Sequence, residues 1–558
     1  MTNSRRNFLR KAGLLASASG LGGTLSSVAS AAKLPDHEEM SIVASANNAV
    51  AATTAGKVRG YTRNEVYTFK GIPYGAPTGN ENRFMPPKKP TSWADVRDCL
   101  VYGPISPQRP DSGWLQEEYG FLYQWVDGYQ DEDCLRLNVW TRGLNDGKKR
   151  PVMLWIHGGG FFSGSSQEHP SYDGESLSKL GDVVVVSINH RLNIFGYLDL
   201  SDYGSQYASS GNVGMLDIVA ALGWVRDNIG NFGGDKDNVT IFGQSGGGTK
   251  VITLMAMPSA KGLFHKAISE SNSIVQVATH EYATQITAHV LTDLNISREK
   301  IAEIHRVKAP RLVEAIAYAE RKMGSAVPAN VGRSGLQPVV DGRLLPTHPF
   351  DPVAPPISAS VPFLVGTTRN EASASINNAP LEKLDEAGLK KRITEKYNTR
   401  GEEIYQVLRK VHPNVKPVEI LSYISAQNPM AFLQARRKAE QDAAPAYLYM
   451  FAWHTPMLDG RPRSFHCSEI PFAFYNTDRC ENYTGASGKA KKLSKKIAMA
   501  WISFARHGNP NHKDLPEWPA FKQSNGAMMV FNNQCEVRHD PDGEARRLLE
   551  RIFYNKEV

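Results

Sequence analysis

A mainly parallel α/β sheet is the fold this sequence predicts, and three features predict it. Continuous apolar runs at 151–156, 182–188 and 239–242 have the pattern of strands covered on both faces. Helix-like segments lie between such runs, the clearest at 212–229, as crossovers between parallel strands require. The third feature is Gly243-Gln244-Ser245-Gly246-Gly247, set between the 239–242 run and a helix-like segment at about 249–257. That is a strand, a sharp turn and a helix within twenty residues.

The elements follow in order. Residues 32–54 are Ala-, Ser- and Asn-rich without apolar periodicity, which predicts a disordered tail ahead of a single domain at 55–558. Short strand-like runs at 56–60 and 66–69 precede a turn-rich lead-in, Gly71-Ile72-Pro73-Tyr74. Residues 107–133 form a long loop heavy in rings: Trp114, Tyr119, Phe121, Tyr123, Trp125 and Tyr129. Both packing under a loop and the wall of a cleft fit that composition. Residues 135–140 alternate apolar and polar, as a half-buried strand does, whereas 151–156 is a buried strand ending in His157-Gly158-Gly159-Gly160. A second buried strand at 182–188, the 212–229 helix and the strand entering Ser245 come next. Then 267–269 reads as a strand, 281–322 as amphipathic helices of an insertion placed to cap a cleft, and 361–367 as a return to the sheet. Helices at 381–438, a late strand at 446–451 and a final helix at 493–505 complete the reading. Neither an internal repeat nor a linker interrupts it, which favours one large domain.

Composition excludes several classes. The 558 residues are 41% hydrophobic and 22% charged, ordinary for a globular chain. Of the formal net charge of +8, four units lie on Arg5, Arg6, Arg10 and Lys11, and removing these leaves +4 on the remainder. So small an excess, with no basic stripe interleaved with aromatics, argues against nucleic acid as a partner. Residues 1–31 read as an export signal of twin-arginine type. The paired arginines precede a mildly apolar Gly/Ala/Leu segment, and Ala29-Ser30-Ala31 is a small-residue cleavage site. The expectation is a periplasmic or secreted protein delivered already folded, without stable membrane insertion. Five cysteines (Cys99, Cys134, Cys467, Cys480 and Cys535) lack metal-ligand spacing, so no metal is expected.

The chemistry begins at Ser245. A serine hydroxyl needs a base, an orienting acid and an oxyanion hole to act as a nucleophile. Gly-x-Ser-x-Gly between strand and helix is the pattern of a nucleophile elbow, and three glycines after a buried strand offer unobstructed N–H groups to complement it.

Taken with further motifs, the chain resembles the type-B carboxylesterases, the cholinesterase-like family of the α/β-hydrolase fold. The resemblance runs from about Gly56 to the C-terminus. It is carried by Phe69-Lys70-Gly71-Ile72-Pro73-Tyr74, Arg83-Phe84, Glu132-Asp133-Cys134-Leu135-Arg136-Leu137-Asn138-Val139-Trp140, Asn189-His190-Arg191, Phe232-Gly233-Gly234-Asp235, the elbow and Pro519-Ala520-Phe521. The resemblance implies a large, mostly parallel sheet flanked by helices, with insertions capping the cleft. It implies Glu371, in Gly366-Thr367-Thr368-Arg369-Asn370-Glu371, as the orienting acid. It implies His466, in Ser464-Phe465-His466-Cys467-Ser468-Glu469, as the base. The N–H groups of Gly159, Gly160 and Gly246 would form the oxyanion hole, with no cofactor and a small-molecule ester as substrate. Arg83 with Glu132, and Arg191 with Asp217, would be internal ion pairs, and His157 would pack the turn. Two departures stand out. The family usually has Glu and Ala around the nucleophile where this chain has Gln244 and Gly246. Ser106 also stands where a cysteine often bridges to Cys134, so the 107–133 loop should lack that tether unless Cys99 substitutes. The alternatives are a cholinesterase-like binding protein, or a hydrolase of amide, lipid or polyester bonds; fold and triad alone do not separate the hydrolases.

Overall fold

The computed structural model describes residues 41–109, 116–126, 128–324 and 335–554; the export signal, residues 32–40 of the expected tail and Trp114 lie outside them. Twelve strands form the main sheet: β1 (Ile42–Val43), β2 (Tyr61–Arg63), β3 (Val66–Pro73), β4 (Arg136–Thr141), β5 (Arg150–Ile156), β6 (Val184–Ile188), β7 (Gly234–Gln244), β8 (Lys266–Glu270), β9 (Phe363–Thr368), β10 (Ala446–Phe451), β11 (Ala527–Phe531) and β12 (Glu536–His539). Their spatial order is β1-β2-β3-β4-β6-β5-β7-β8-β9-β10-β11-β12. Pairing is parallel from β6 through β11 and antiparallel at both edges.

The continuous apolar runs are buried on both faces for the expected reason. In β5, Val152, Leu154 and Ile156 join one core, while Met153 and Trp155 join the other on the opposite face. Successive side chains alternate across the sheet, so a strand that helices cover on both sides must be apolar at every position.

Four expectations are corrected. Residues 42–54 are not a structureless tail: Ile42–Val43 pairs with β2, and Val50–Thr53 pairs with Gly56–Arg59. The alternating 135–140 segment is not half-buried, because every residue of β4 is buried. Its polar Asn138 is buried because partners satisfy it: the amide donates to Ser166 Oγ (3.1 Å) and Ser187 Oγ (3.0 Å) and accepts from Gly71 N (3.0 Å). The 493–505 helix (Gly488–His507) is not the last element, since β11, β12 and the helix Gly543–Phe553 follow. The 281–322 insertion forms helices His280–Leu294 and Ala309–Met323, but it does not line the cleft that holds Ser245.

Both expected ion pairs form. Arg83 binds Glu132 through two contacts of 2.7 and 2.6 Å and donates to the carbonyls of Ile304, His305 and Val307. Arg191 and Asp217 are fully buried, joined at 2.8 and 2.6 Å, and Arg191 N adds a third bond to the same carboxylate. All five cysteines are unpaired and buried. In place of a bridge, the ring-bearing loop closes with backbone bonds, from Ile105 N to Tyr129 O (2.8 Å) and from Asp131 N to Ile105 O (3.0 Å). Ser106 Oγ accepts from Leu192 N instead.

Removing one member of a buried, hydrogen-bonded pair strands the other charge. Asp217→Ala is therefore expected to cost about 3–5 kcal/mol, read as a fall in the urea midpoint; a loss below 1 kcal/mol would contradict it.

Candidate active site

Strand β7 delivers Gln244 to the carboxyl edge of the sheet, and the chain turns at Ser245. Its backbone lies at φ 56 and ψ −121, a conformation that costs an L-residue of order 1–3 kcal/mol and persists only when neighbours enforce it. They do. Ser245 N donates to Glu270 O (2.8 Å), extending the β7–β8 ladder beyond its last pair. Gly247 lets Ile156 pass, since a Cβ there would lie 2.1 Å from the Ile156 carbonyl oxygen. The helix Gly246–Ala256 starts directly behind the serine.

Strand β5 is the parallel neighbour of β7, so its outgoing loop, His157 to Gly160, emerges beside the elbow. Gly159 and Gly160 take positive φ (77 and 63). Among the described residues, the N–H groups of Gly159, Gly160 and Gly246 have no protein acceptor. Gly246 explains one departure from the family pattern. A Cβ at 246 would stand 2.3–2.4 Å from the O, Cα and N of Gly160, so alanine has no room unless the loop moves. His157 packs the turn, with Nδ1 donating to Gly158 O (3.0 Å) and its ring stacked on His190 at 4.9 Å. Burial holds its pKa far below the usual imidazole value, reinforced by Lys250 and His190.

Glu371 and His466 are 95 positions apart but meet through one register. Asn370 and Phe465 form a parallel bridge, backed by Asn370 N to Ser464 O (3.1 Å) and Ser464 Oγ to Asn370 Oδ1 (2.8 Å). The next residue on each side is Glu371 or His466, and a Glu371 carboxylate oxygen contacts His466 Nδ1. The other carboxylate oxygen accepts from Thr367 Oγ1 (2.5 Å) and Thr368 N (2.8 Å). Burial opposes ionisation of Glu371, yet the His466 charge and these hydrogen bonds hold its pKa below the ordinary value. With Nδ1 turned to the carboxylate, Nε2 is the ring nitrogen suited to exchange a proton with a nucleophile.

Gln244 is buried, with Nε2 3.4 Å from both His466 ring nitrogens and Oε1 accepting from Cys467 Sγ at 3.3 Å. Two carboxyls given no role in the sequence reading lie near the acid. Glu469 accepts from Ser271 Oγ (2.9 Å), and Glu270 accepts from Trp501 Nε1 (2.8 Å). Burial, with Glu371 and Glu270 nearby, pushes Glu469 up to about 8; burial pushes Glu270 up to about 7. A signal for Glu270 was present: a carboxylate ending a buried strand run needs a local partner.

Ser245, Gln244, Glu371, His466 and the oxyanion glycines line a cleft of about 820 Å³. Phe161, Phe162 and Tyr172 come from the oxyanion side, Tyr119 and Trp125 from the ring-bearing loop, and Tyr397, Ile424 and Phe553 from the later helices. The two readings of that loop therefore divide by residue. Tyr119 and Trp125 form the wall, whereas Tyr123 is buried against Phe465 and Tyr483, its hydroxyl donating to His466 O (2.7 Å). Phe121 and Tyr129 are exposed. A larger, more open groove of about 1290 Å³ beside Ala309 and Val313 contains none of the Ser245, Glu371 or His466 side chains. Among the described residues no cluster of His, Cys, Asp and Glu is arranged to hold a metal, and no helix is long and apolar enough to cross a membrane.

Comparison with known proteins agrees with this geometry. The carboxylesterase family model matches residues 47–548. The para-nitrobenzyl esterase of Bacillus subtilis is 36% identical over 519 residues, covering 90% of this chain and 98% of that one. The phenmedipham hydrolase of Pseudarthrobacter oxydans is 30% identical, covering 90% and 99%. Among solved structures, an esterase of the anaerobe Clostridium hathewayi that can hydrolyze aliphatic aromatic polyesters superimposes with a TM-score of 0.80 at 36% identity, covering 93% of this chain and 99% of that one.

The contact at Gly246 gives a direct test. Gly246→Ala must displace backbone at Gly160, so kcat/KM on an activated ester is expected to fall by roughly 10–100-fold, with Ser245 still labelled by a fluorophosphonate, more slowly. Unchanged kcat/KM would show that the two glycines are not in contact. Ser245→Ala supplies the unlabelled control.

Proposed function

The chain belongs to the carboxylesterase family and is a serine hydrolase of carboxylic esters; from that premise we propose that Ser245, His466 and Glu371 perform its acyl transfer on neutral esters bearing a bulky aromatic group. Ser245 Oγ attacks the ester carbonyl while His466 takes its proton, and Gly159, Gly160 and Gly246 donate to the developing oxyanion. His466 then protonates the leaving alcohol, and water repeats the sequence on the acyl-enzyme. The observation that supports the assignment is the 370–465 bridge, which brings acid and base together at the cleft that Ser245 also lines.

The substrate reading rests on Gln244 and on the rings of the cleft. A carboxylate at 244 would favour an imidazolium and a cationic substrate group; an amide hydrogen-bonds but adds no net charge. Aromatic walls of this number suit planar aromatic groups that stack on them. The para-nitrobenzyl esterase and the polyester-hydrolysing relative fit the same reading, and an aromatic diester is the probe for the latter. Matched panels of benzyl, short alkyl and choline esters test it. Benzyl esters are expected to lead and a quaternary ammonium to bring no gain. Gln244→Glu should move the acid limb of the kcat/KM profile to higher pH, since an added carboxylate stabilises the protonated base. It should also raise the choline-to-neutral ratio several-fold. An unchanged profile and ratio would sink the charge argument.

We further propose export by the twin-arginine route. What supports it is the Arg5-Arg6 pair together with a fold whose five cysteines are buried and unpaired, compatible with folding before export. Replacing both arginines by lysine is expected to retain the enzyme in the cytoplasm on cell fractionation; undiminished export would reject the route.

A further inference from the structure

The helix behind Ser245 carries a charge that the acyl-transfer cycle does not use. Its sequence, Gly-Gly-Gly-Thr-Lys-Val-Ile-Thr-Leu-Met-Ala, is apolar apart from two threonines and Lys250, and Lys250 is wholly buried. A lysine buried without partners is expensive. Here the ammonium has two: Nζ lies 2.7 Å from Gly160 O and 3.2 Å from His157 O, with the Phe161 ring 5.5 Å away.

Those carbonyls bracket the oxyanion loop. The Gly159 N–H belongs to the 158–159 peptide and the Gly160 N–H to the 159–160 peptide. Lys250 grips the 157–158 peptide on one side and the 160–161 peptide on the other. Between them, Gly158 O accepts from His157 Nδ1, and Gly159 O accepts from Phe162 N (3.2 Å) and Ser163 N (3.1 Å). Four successive carbonyls are thus engaged within the protein, and two of the four are held by one side chain. Glycine linkages have shallow torsional preferences, so without such anchors the donor peptides would sample many orientations. An oxyanion hole works only when its donors are oriented before charge develops.

We propose that Lys250 is a positioning residue of the oxyanion hole, locking the Gly159 and Gly160 donor peptides through the carbonyls on either side of them and placing positive charge behind the developing oxyanion. The proposal rests on the assignment of Ser245 as nucleophile.

The electrostatic part is open to pH. Burial draws the Lys250 ammonium down to about 7, opposed by the Glu168 carboxyl, which burial in turn pushes up to about 8. The titratable groups facing Lys250 are Glu168 and the stacked, buried rings of His157 and His190. Neutralising Lys250 leaves an amine that still donates hydrogen bonds but no longer supports the oxyanion by charge. The wild-type rate should therefore decline on the alkaline side of neutrality, as Lys250 loses its proton.

Lys250→Met keeps the length and removes both the donors and the charge; Lys250→Gln keeps a donor and removes the charge. Each is read against active-site concentration titrated with a fluorophosphonate. An aryl trifluoromethyl ketone reports the oxyanion directly: Ser245 Oγ bonds to its carbonyl carbon, the carbonyl π pair passes to oxygen, and the serine proton passes to His466. The isosteric methyl ketone reports ground-state binding. Lys250→Met is expected to lose kcat at least tenfold with KM within about twofold. Trifluoromethyl ketone affinity should fall in step while methyl ketone affinity holds, and the alkaline decline should disappear. Lys250→Gln should lose less but also lack the alkaline decline. Wild-type kcat and ketone affinity per titrated site, with only thermal stability lowered, would overturn the proposal. Should neither variant fold, the wild type decides the charge half of the proposal: its affinity for the trifluoromethyl ketone is expected to weaken above neutral pH, and a flat profile to pH 9 would overturn that half. If Ser245 takes no fluorophosphonate label, it is the assignment of the nucleophile that fails instead.

Discussion

The active site depends on how closely two backbones approach where β5 and β7 leave the sheet. These parallel neighbours end side by side, so the loop after one lies against the turn after the other without any long excursion of the chain. The separation is too small for side chains: a Cβ at Gly243, Gly246 or Gly247 would meet backbone atoms of Ile156, Gly247 or Gly160 at 2.1–2.7 Å. Because the sheet sets that distance, the strained serine, its oxyanion donors and the helix behind it are properties of the core as much as of the loops. Alternate faces of β5 and β7 are packed into separate apolar clusters, which hold the two strand ends in register.

Much of this was legible in the sequence where the physics is local. Buried parallel strands announce themselves as unbroken apolar runs, and β5, β6 and β7 do so. An elbow and its glycine partner are likewise short-range patterns. What sequence could not show by itself was the meeting of Glu371 and His466, since a two-residue bridge between segments 95 positions apart leaves no periodic trace; family resemblance alone pointed to both. The alternating 135–140 segment misled for a related reason. Polar residues in a strand mean solvent only if nothing inside satisfies them, and Ser166 and Ser187 satisfy Asn138. Ile42–Val43 and Val50–Thr53 were missed because edge strands of two and four residues carry too little apolar pattern to stand out from loop composition.

The interior around the site is unusually rich in ionisable groups. Glu270 and Glu469 lie near Glu371 of the triad, and Lys250, Glu168 and His190 lie near the oxyanion loop that begins at His157. Their environments separate their roles. The His466 contact and hydrogen bonds from Thr367 and Thr368 hold the Glu371 pKa low, whereas burial makes protonation easier for Glu270 and Glu469. A second full negative charge beside the imidazole would further stabilise its protonated form; burial shifts Glu469 toward the neutral form, so Glu371 can orient the ring and leave it basic.

The ring-bearing loop has a further consequence. It shapes the mouth of the cleft with Tyr119 and Trp125, and it also grips the segment of the base: Tyr123 donates to the His466 carbonyl, and Glu118 pairs with Arg461 at 2.5 Å. No covalent bridge fixes the loop; a pair of backbone bonds at Ile105 closes it. Breadth of access and placement of the base therefore share one set of noncovalent anchors. An enzyme selected or engineered through this loop for larger substrates would trade reactivity for admission, and the two traits would evolve together unless a crosslink between the ends of the loop first uncoupled them.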